Sequence, residues 1–321
     1  MQHNRQTGQN RFKGVVIPMV TPVTPEGNLD EPAVHRLIEY IIDGGVSGIF
    51  VLGTTGEAAS IPPSMKLRLV EITVQQVAKI VQVYAGISDN CFSNSIQAAQ
   101  AYLKLGVDVV VAHLPICYEL NGIEQEAYYE ALSKSVNGPL MIYNIPSTTK
   151  MSIPLDVVQR LSKLPNIIGL KDSQNDINRL TQEIELPVDR SNFAFFTGTT
   201  ALSVDALKLG WDGTVPSLGN LVPGLCQRIY TSVRSGHYDD AMIYQKQLDD
   251  LSTLLRDKLS LGQSLAAHKT ALSAIGICSP SVLPPLQPLS EAKQLKLIDD
   301  FTQWLPTIEA KNDAVVNTEK V

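Results

Sequence analysis

Eight short apolar runs recur along the chain, at residues 14–20, 48–52, 81–86, 108–112, 139–143, 167–171, 193–197 and 213–217. Most are rich in Val and Ile, and all are bounded by Gly, Pro, Asn or Asp. Nearly continuous apolar runs of this length are the pattern of parallel strands covered on both faces. The stretches between them are long enough for crossover helices. Residues 30–43 open on Asp30, place Pro32 early, carry Leu37, Ile38 and Ile41, and stop before Gly44-Gly45. An acidic start, an early proline and a glycine stop are helix boundary signals. Residues 64–79 show Met65, Leu69, Ile72 and Val77 at helical spacing, and 95–105 and 124–136 end at glycine-containing turns. Eight strands alternating with helices predict an α/β fold, a closed (β/α)8 TIM barrel rather than a doubly wound sheet.

After the eighth run the pattern becomes helical, most clearly over 239–257 and 264–275. The expected organisation is a polar tail at 1–11, a barrel over 12–220, a C-terminal helical extension over 221–309 and a frayed polar tail at 310–321. A chain of 321 residues, 44% of them hydrophobic, can fill one barrel-sized core. The net charge of −6 and the lack of a Lys/Arg block point away from nucleic acid or an anionic membrane as partner. No apolar run approaches the roughly 18 residues of a membrane span, and the first residues lack the apolar core of a signal peptide. Cys91, Cys117, Cys226 and Cys278 are widely spaced, without a Cys-x-x-Cys pair. That fits a reducing compartment rather than a disulfide framework or zinc site, so a cytoplasmic enzyme is the expected class.

In such barrels the chemistry sits at the C-terminal ends of the strands. Lys171 ends the sixth run. A partly desolvated lysine amine can attack a ketone and form an imine that serves as an electron sink; the plainer alternative is a lysine that snorkels outward or pairs with Asp172. Tyr143 ends the neighbouring fifth run. Its hydroxyl is placed to relay protons, unless the ring merely caps the barrel. The loop Gly53-Thr54-Thr55-Gly56-Glu57 follows the second run. Its glycines and hydroxyls suit a carboxylate, though an ordinary strand–helix turn with a Thr cap would read the same way.

These three segments, in this order and strand context, resemble the dihydrodipicolinate synthase / N-acetylneuraminate lyase family. Gly53–Glu57 resembles its carboxylate-binding loop, Tyr143-Asn144-Ile145-Pro146 its tyrosine signature, and Ile168-Gly169-Leu170-Lys171-Asp172-Ser173 its Schiff-base lysine signature, within a similarity from about Phe12 to Pro306. The resemblance implies a Schiff base between Lys171 and pyruvate or a related 2-keto acid. Thr54 and Thr55, with the loop amides at Gly53 and beyond, would hold the carboxylate, and Tyr143 would act as general acid/base. It also implies no metal or organic cofactor, and a homotetramer built as a dimer of dimers.

Two positions depart from the synthase pattern. Where the synthases carry a relay tyrosine after the fourth strand, reaching into the partner subunit, this chain reads Pro115-Ile116-Cys117-Tyr118. Cys117 occupies the tyrosine's place, and Tyr118 replaces it only by a one-residue shift. Where they carry an arginine for the second substrate's carboxylate, this chain has Thr148, with Lys150 nearby. A threonine cannot imitate a bidentate guanidinium. A 2-keto-3-deoxy sugar acid aldolase or dehydratase is therefore an equal expectation. A metal-dependent lyase would need converging ligands, for which only His113 and Asp172 are candidates. The remaining rival is a barrel that binds a keto acid without turnover.

Overall fold

Each of the eight apolar runs forms a parallel strand, and the strands close on one another in chain order. The structure is a computed structural model describing residues 12–256 and 259–318. The expected tail at 1–11 and the last residues of the tail at 310–321 lie outside the described residues. The strands are β1 (Gly14–Pro18), β2 (Gly48–Val51), β3 (Gln82–Gly86), β4 (Val109–His113), β5 (Leu140–Asn144), β6 (Ile167–Asp172), β7 (Ala194–Thr197) and β8 (Gly213–Thr214). β8 returns to β1 through the pairs Gly14–Gly213 and Val15–Thr214. It is the shortest strand, because Pro216 has no amide to extend a ladder and a 3-10 turn over Ser217–Asn220 follows.

Helices α1 (Glu31–Asp43), α2 (Pro63–Val77), α3 (Phe92–Leu105) and α4 (Gly122–Ser135) connect the first five strands. The short α5 (Pro146–Thr149) and α6 (Leu155–Leu161) precede β6, and α7 (Ile177–Ile184) and α8 (Ser203–Lys208) precede β7 and β8. Local chemistry sets the ends. Asp30 accepts from the Ala33 amide at 3.0 Å, Asn121 and Glu124 form a capping box on α4, and Gly106 ends α3 at φ +106°.

Helix α9 (Pro223–Arg234) follows β8 and packs on β1, α1 and α8, so it completes the ring. Beyond it lie α10 (Tyr238–Arg256), α11 (Leu261–Ala274) and α12 (Glu291–Thr318). The last carries helical backbone into the stretch expected as a frayed tail. No helix among the described residues is long and apolar enough to cross a membrane.

Strand alternation divides the core in two. Val15 and Ile17 point out to the helices. Val16, Phe50, Tyr84, Val111, Met141 and Phe196 point in and fill the barrel. Gly213 is part of that filling: a Cβ there would lie 2.4 Å from Phe196 Cε1 and 2.2 Å from the Gly14 carbonyl oxygen. The substitution Gly213→Ala is therefore expected to destabilise the fold by about 2 kcal/mol, an overpacking cost, read as a lowered urea midpoint; an unchanged midpoint would show that the Gly14 carbonyl and the Phe196 ring both have room to move.

Candidate active site

Closure of the barrel makes β4, β5 and β6 neighbours, and their register sets His113 beside Tyr143 and Tyr143 beside Lys171. Lys171 and Tyr143 are 4% and 5% exposed. The Lys171 Nζ lies 3.9 Å from the centre of the Tyr143 ring and 4.9 Å from that of Phe50. His113 packs edge-on against Tyr143, with ring centres 6.1 Å apart. Burial first, then the Lys171 charge, hold the His113 ring below the usual imidazole range.

Asp172 faces the other way. It accepts from Asn144 Nδ2 and the Gln174 amide, each at 2.6 Å, and from Arg179 Nε at 2.9 Å. Arg179 also reaches Glu183 at 2.8 Å. Burial, with the Asp172 carboxylate beside it, raises the Glu183 carboxyl well above its ordinary range. Lys171 and Asp172 thus do not pair. Asp172 and His113 do not converge either, and no cluster of three or more His, Cys, Asp or Glu suited to a metal occurs among the described residues.

Two cavities adjoin at this end of the barrel and share Thr54 and Tyr143 in their walls. The smaller, about 240 Å³, is lined by Lys171, Thr55, Ser147, Ser173 and Ser217 among others. The larger, about 570 Å³, is lined by Gly53, Lys66, Asp89, His113 and Thr148 among others. In the Gly53–Glu57 loop the amides of Gly56, Glu57 and Ala58 are taken by the carbonyls of Gly53 and Thr54. What the loop turns toward the small cavity is Thr54 and Thr55.

Comparison with known proteins places this geometry. The family model described as the dihydrodipicolinate synthetase family matches residues 11–304. The chain belongs to that family. It is 31% identical over 288 residues to the 4-hydroxy-tetrahydrodipicolinate synthase of Phenylobacterium zucineum, covering 89% of this chain and 95% of that one. The synthase of the same name from Methanosarcina acetivorans is 30% identical over 290 residues, covering 90% and 97%. Among solved structures, the dihydrodipicolinate synthase of Bacteroides thetaiotaomicron superposes with a TM-score of 0.87 at 28% identity, covering 92% of this chain and 100% of that one. A prophage protein of the dihydrodipicolinic acid synthase family from E. coli K12, solved in complex with pyruvate, gives 0.86 at 26% identity, covering 92% and 99%. The chain is a synthase-like lyase of the class I aldolase type.

Against the family pattern, Tyr118 is 73% exposed and, like Cys117, lines neither cavity of its own chain, whereas Ile116 does. The one-residue shift therefore does not bring Tyr118 into the site of its own subunit. Thr148 does line the larger cavity, and its Oγ1 is buried with no hydrogen-bond partner among the described residues. Lys150 is exposed, with Nζ on the Ser147 carbonyl at 2.8 Å; the lysine in the larger cavity is Lys66.

Sequence reasoning missed several lining residues. Ser173 was within reach of it, since it stands two residues after Lys171 and shares its face; its Oγ lies 3.4 Å from the Tyr143 hydroxyl. Arg256, Ser264 and His268, from α10 and α11, carry no local signal that would have placed them in the small cavity. Glu57 explains how these helices are held over the barrel. It is buried at φ +57°, pairs with the fully buried Lys269 of α11, and accepts from the Leu283 amide at 2.8 Å. Lys269 also donates to the Ser281 carbonyl at 2.9 Å.

Lys269→Met would strand the Glu57 charge in the interior, and should cost about 3–5 kcal/mol. In a denaturant titration the double variant Glu57→Gln/Lys269→Met should recover part of that loss; equal losses in single and double variants would deny the pair its role. His268 supplies a second test. Burial, then the Arg256 charge, push its pKa down to about 4. The folded state thus favours the neutral ring, and its contribution is complete above the unfolded value near 6.5 and is lost as pH falls toward 4. From pH 7 to pH 5 the wild type should lose about 2 kcal/mol more than His268→Gln. Parallel stability profiles would contradict the burial of a neutral imidazole.

Proposed function

We propose that Lys171 is the Schiff-base nucleophile of a lyase acting on pyruvate or a related 2-keto acid. The observation that carries the reading is the buried Lys171 amine, with no carboxylate partner among the described residues, 3.9 Å from the Tyr143 ring in a cavity walled by Thr54 and Thr55. The amine adds to the C2 carbonyl, water leaves, and the protonated imine accepts the electron pair of the adjacent bond as it breaks, or supplies it as an enamine when a bond forms. Thr54 and Thr55 hold the C1 carboxylate. Tyr143 carries protons between the carbinolamine and the departing or entering oxygen, with Ser173 Oγ beside its hydroxyl. The imine itself is the electron sink, so no metal or organic cofactor has a part.

The substrate beyond C3 is a hydroxylated chain in this reading, making the enzyme a 2-keto-3-deoxy sugar acid aldolase or dehydratase type as readily as an authentic synthase. The partnerless buried Thr148 hydroxyl supports it, because it can both donate to and accept from a substrate hydroxyl, while it lacks the bidentate guanidinium that the synthases place there for a second carboxylate. We further propose a cytoplasmic homotetramer, a dimer of dimers. Ile116, Tyr118 and Ile123 stand 49%, 73% and 81% exposed along one stretch, an apolar surface suited to a partner subunit. In that assembly Tyr118 would serve a neighbour's site.

Incubation with pyruvate, reduction with borohydride and peptide mass spectrometry should place a pyruvyl adduct on Lys171. Lys171→Ala should keep its far-ultraviolet circular dichroism and lose both adduct and turnover, at least a thousandfold by the scale of removed nucleophiles. Wild-type-like turnover in that variant would end the proposal.

A further inference from the structure

The small cavity has a wall that imine formation does not use. Arg256, at the end of α10, lines it and donates to the Ser217 hydroxyl. No carboxylate pairs with Arg256 among the described residues. A guanidinium has five N–H donors and stays charged at any working pH, and one neutral hydroxyl satisfies only one of them. A half-buried cation with no anion among the described residues is costly, and the small cavity it lines is open to one.

His268 of α11 lines the same wall and is 1% exposed. Its Nδ1 meets the Ser264 carbonyl oxygen at 2.7 Å, so that nitrogen carries the proton. Its Nε2 is then a bare acceptor, buried and without a partner among the described residues. Wall and nucleophile therefore offer complementary chemistry: a fixed cation and a neutral acceptor on the C-terminal helices, facing an amine on β6.

Resting on the reading of Lys171 as the imine-forming residue, we propose that Arg256 and His268 form a specificity subsite for an anionic group, carboxylate or phosphate, at the far end of a hydroxylated 2-keto acid. Arg256 pairs with the anion and His268 Nε2 accepts from a substrate hydroxyl. The subsite replaces, from the helices, the positive charge that Thr148 does not provide at the β5 side.

Calorimetric binding of matched acids tests it: 2-oxoglutarate against 2-oxopentanoate for a carboxylate end, and 2-keto-3-deoxy-6-phosphogluconate against 2-keto-3-deoxygluconate for a phosphate end. At least one anionic member should bind the wild type about ten- to a hundredfold tighter than its neutral twin, the range of a charge-assisted contact, and the favoured pair identifies the anion. Lys171→Ala cannot form the imine, and should bind both members more weakly while keeping the ratio. Arg256→Gln should bring the ratio close to one, and Arg256→Lys should retain part of it, which separates loss of charge from loss of fold. No preference in the wild type, or a preference that survives Arg256→Gln, overturns the subsite. Pyruvate trapping on the wild type is read separately: absence of an adduct refutes the imine, while the binding ratio alone decides the subsite.

Discussion

The alternation of side chains along β6 governs the whole site. Successive residues of a strand point to opposite faces, so the pleat that turns Lys171 into the barrel turns Asp172 outward to Asn144, Arg179 and the Gln174 amide. The same frame holds Tyr143 level with Lys171 through a strand pair. A slip of one residue would exchange the amine for a carboxylate and lose the cavity. The buried Asp172–Arg179 pair fixes the register from outside. Glu183, its carboxyl raised above the ordinary range by burial, adds a second contact to Arg179. The amine is thus positioned by hydrogen bonds it does not itself make.

A second constraint joins the barrel to the helices above it. The loop after β2 bends through left-handed backbone at two non-glycine residues, Leu52 at φ +59° and Glu57 at φ +57°. Such conformations cost of order 1 kcal/mol each and persist where the surroundings enforce them. At Glu57 the enforcement is the pair with Lys269 and the Leu283 amide. The carboxylate that shapes the loop beneath Thr54 and Thr55 is therefore the one that anchors α11, and α11 is the element that brings His268 and Leu265 over the small cavity. Loop shape and cavity roof depend on one ion pair.

How much of this was legible in the sequence follows from the range of each signal. The strands were, because apolar runs between glycine, proline and asparagine are local patterns, and their number selected the barrel. That Lys171, Tyr143, Thr54 and Thr55 would gather was legible, because residues ending such runs meet at one end of a closed sheet. The boundary of β8 was not: Pro216 stops the ladder inside an apolar run. Arg256 and His268 were not legible either, since they sit on amphipathic helices where a charged or imidazole side chain reads as surface or core until packing shows the cavity. Glu57 and Lys269 are 212 residues apart in sequence, and nothing in either's neighbours announces the other. Glu57 was legible only as the last residue of a loop motif, without its partner.

The division between legible and hidden residues matches a division of labour. The residues proposed to attack, relay protons and hold the C1 carboxylate stand on strands or in the loop directly after one, where backbone geometry is set by the barrel hydrogen bonds. The cavity-lining residues proposed to meet the rest of a substrate stand on α5, α10 and α11, whose placement rests on packing. Strand ladders tolerate little change, whereas a helix over the barrel can exchange a side chain without disturbing the strand-end residues around Lys171. A family built this way can hold one reaction class while its substrates diverge. In this chain the β5 side of the site presents the neutral Thr148 hydroxyl, and the guanidinium of Arg256 enters from the helical side. In the proposed subsite, a cation on the helical wall rather than the β5 wall changes which end of a substrate is read as charged. It does so without moving Lys171 or Tyr143, so divergence in this enzyme is to be sought in the roof of the cavity rather than in its floor.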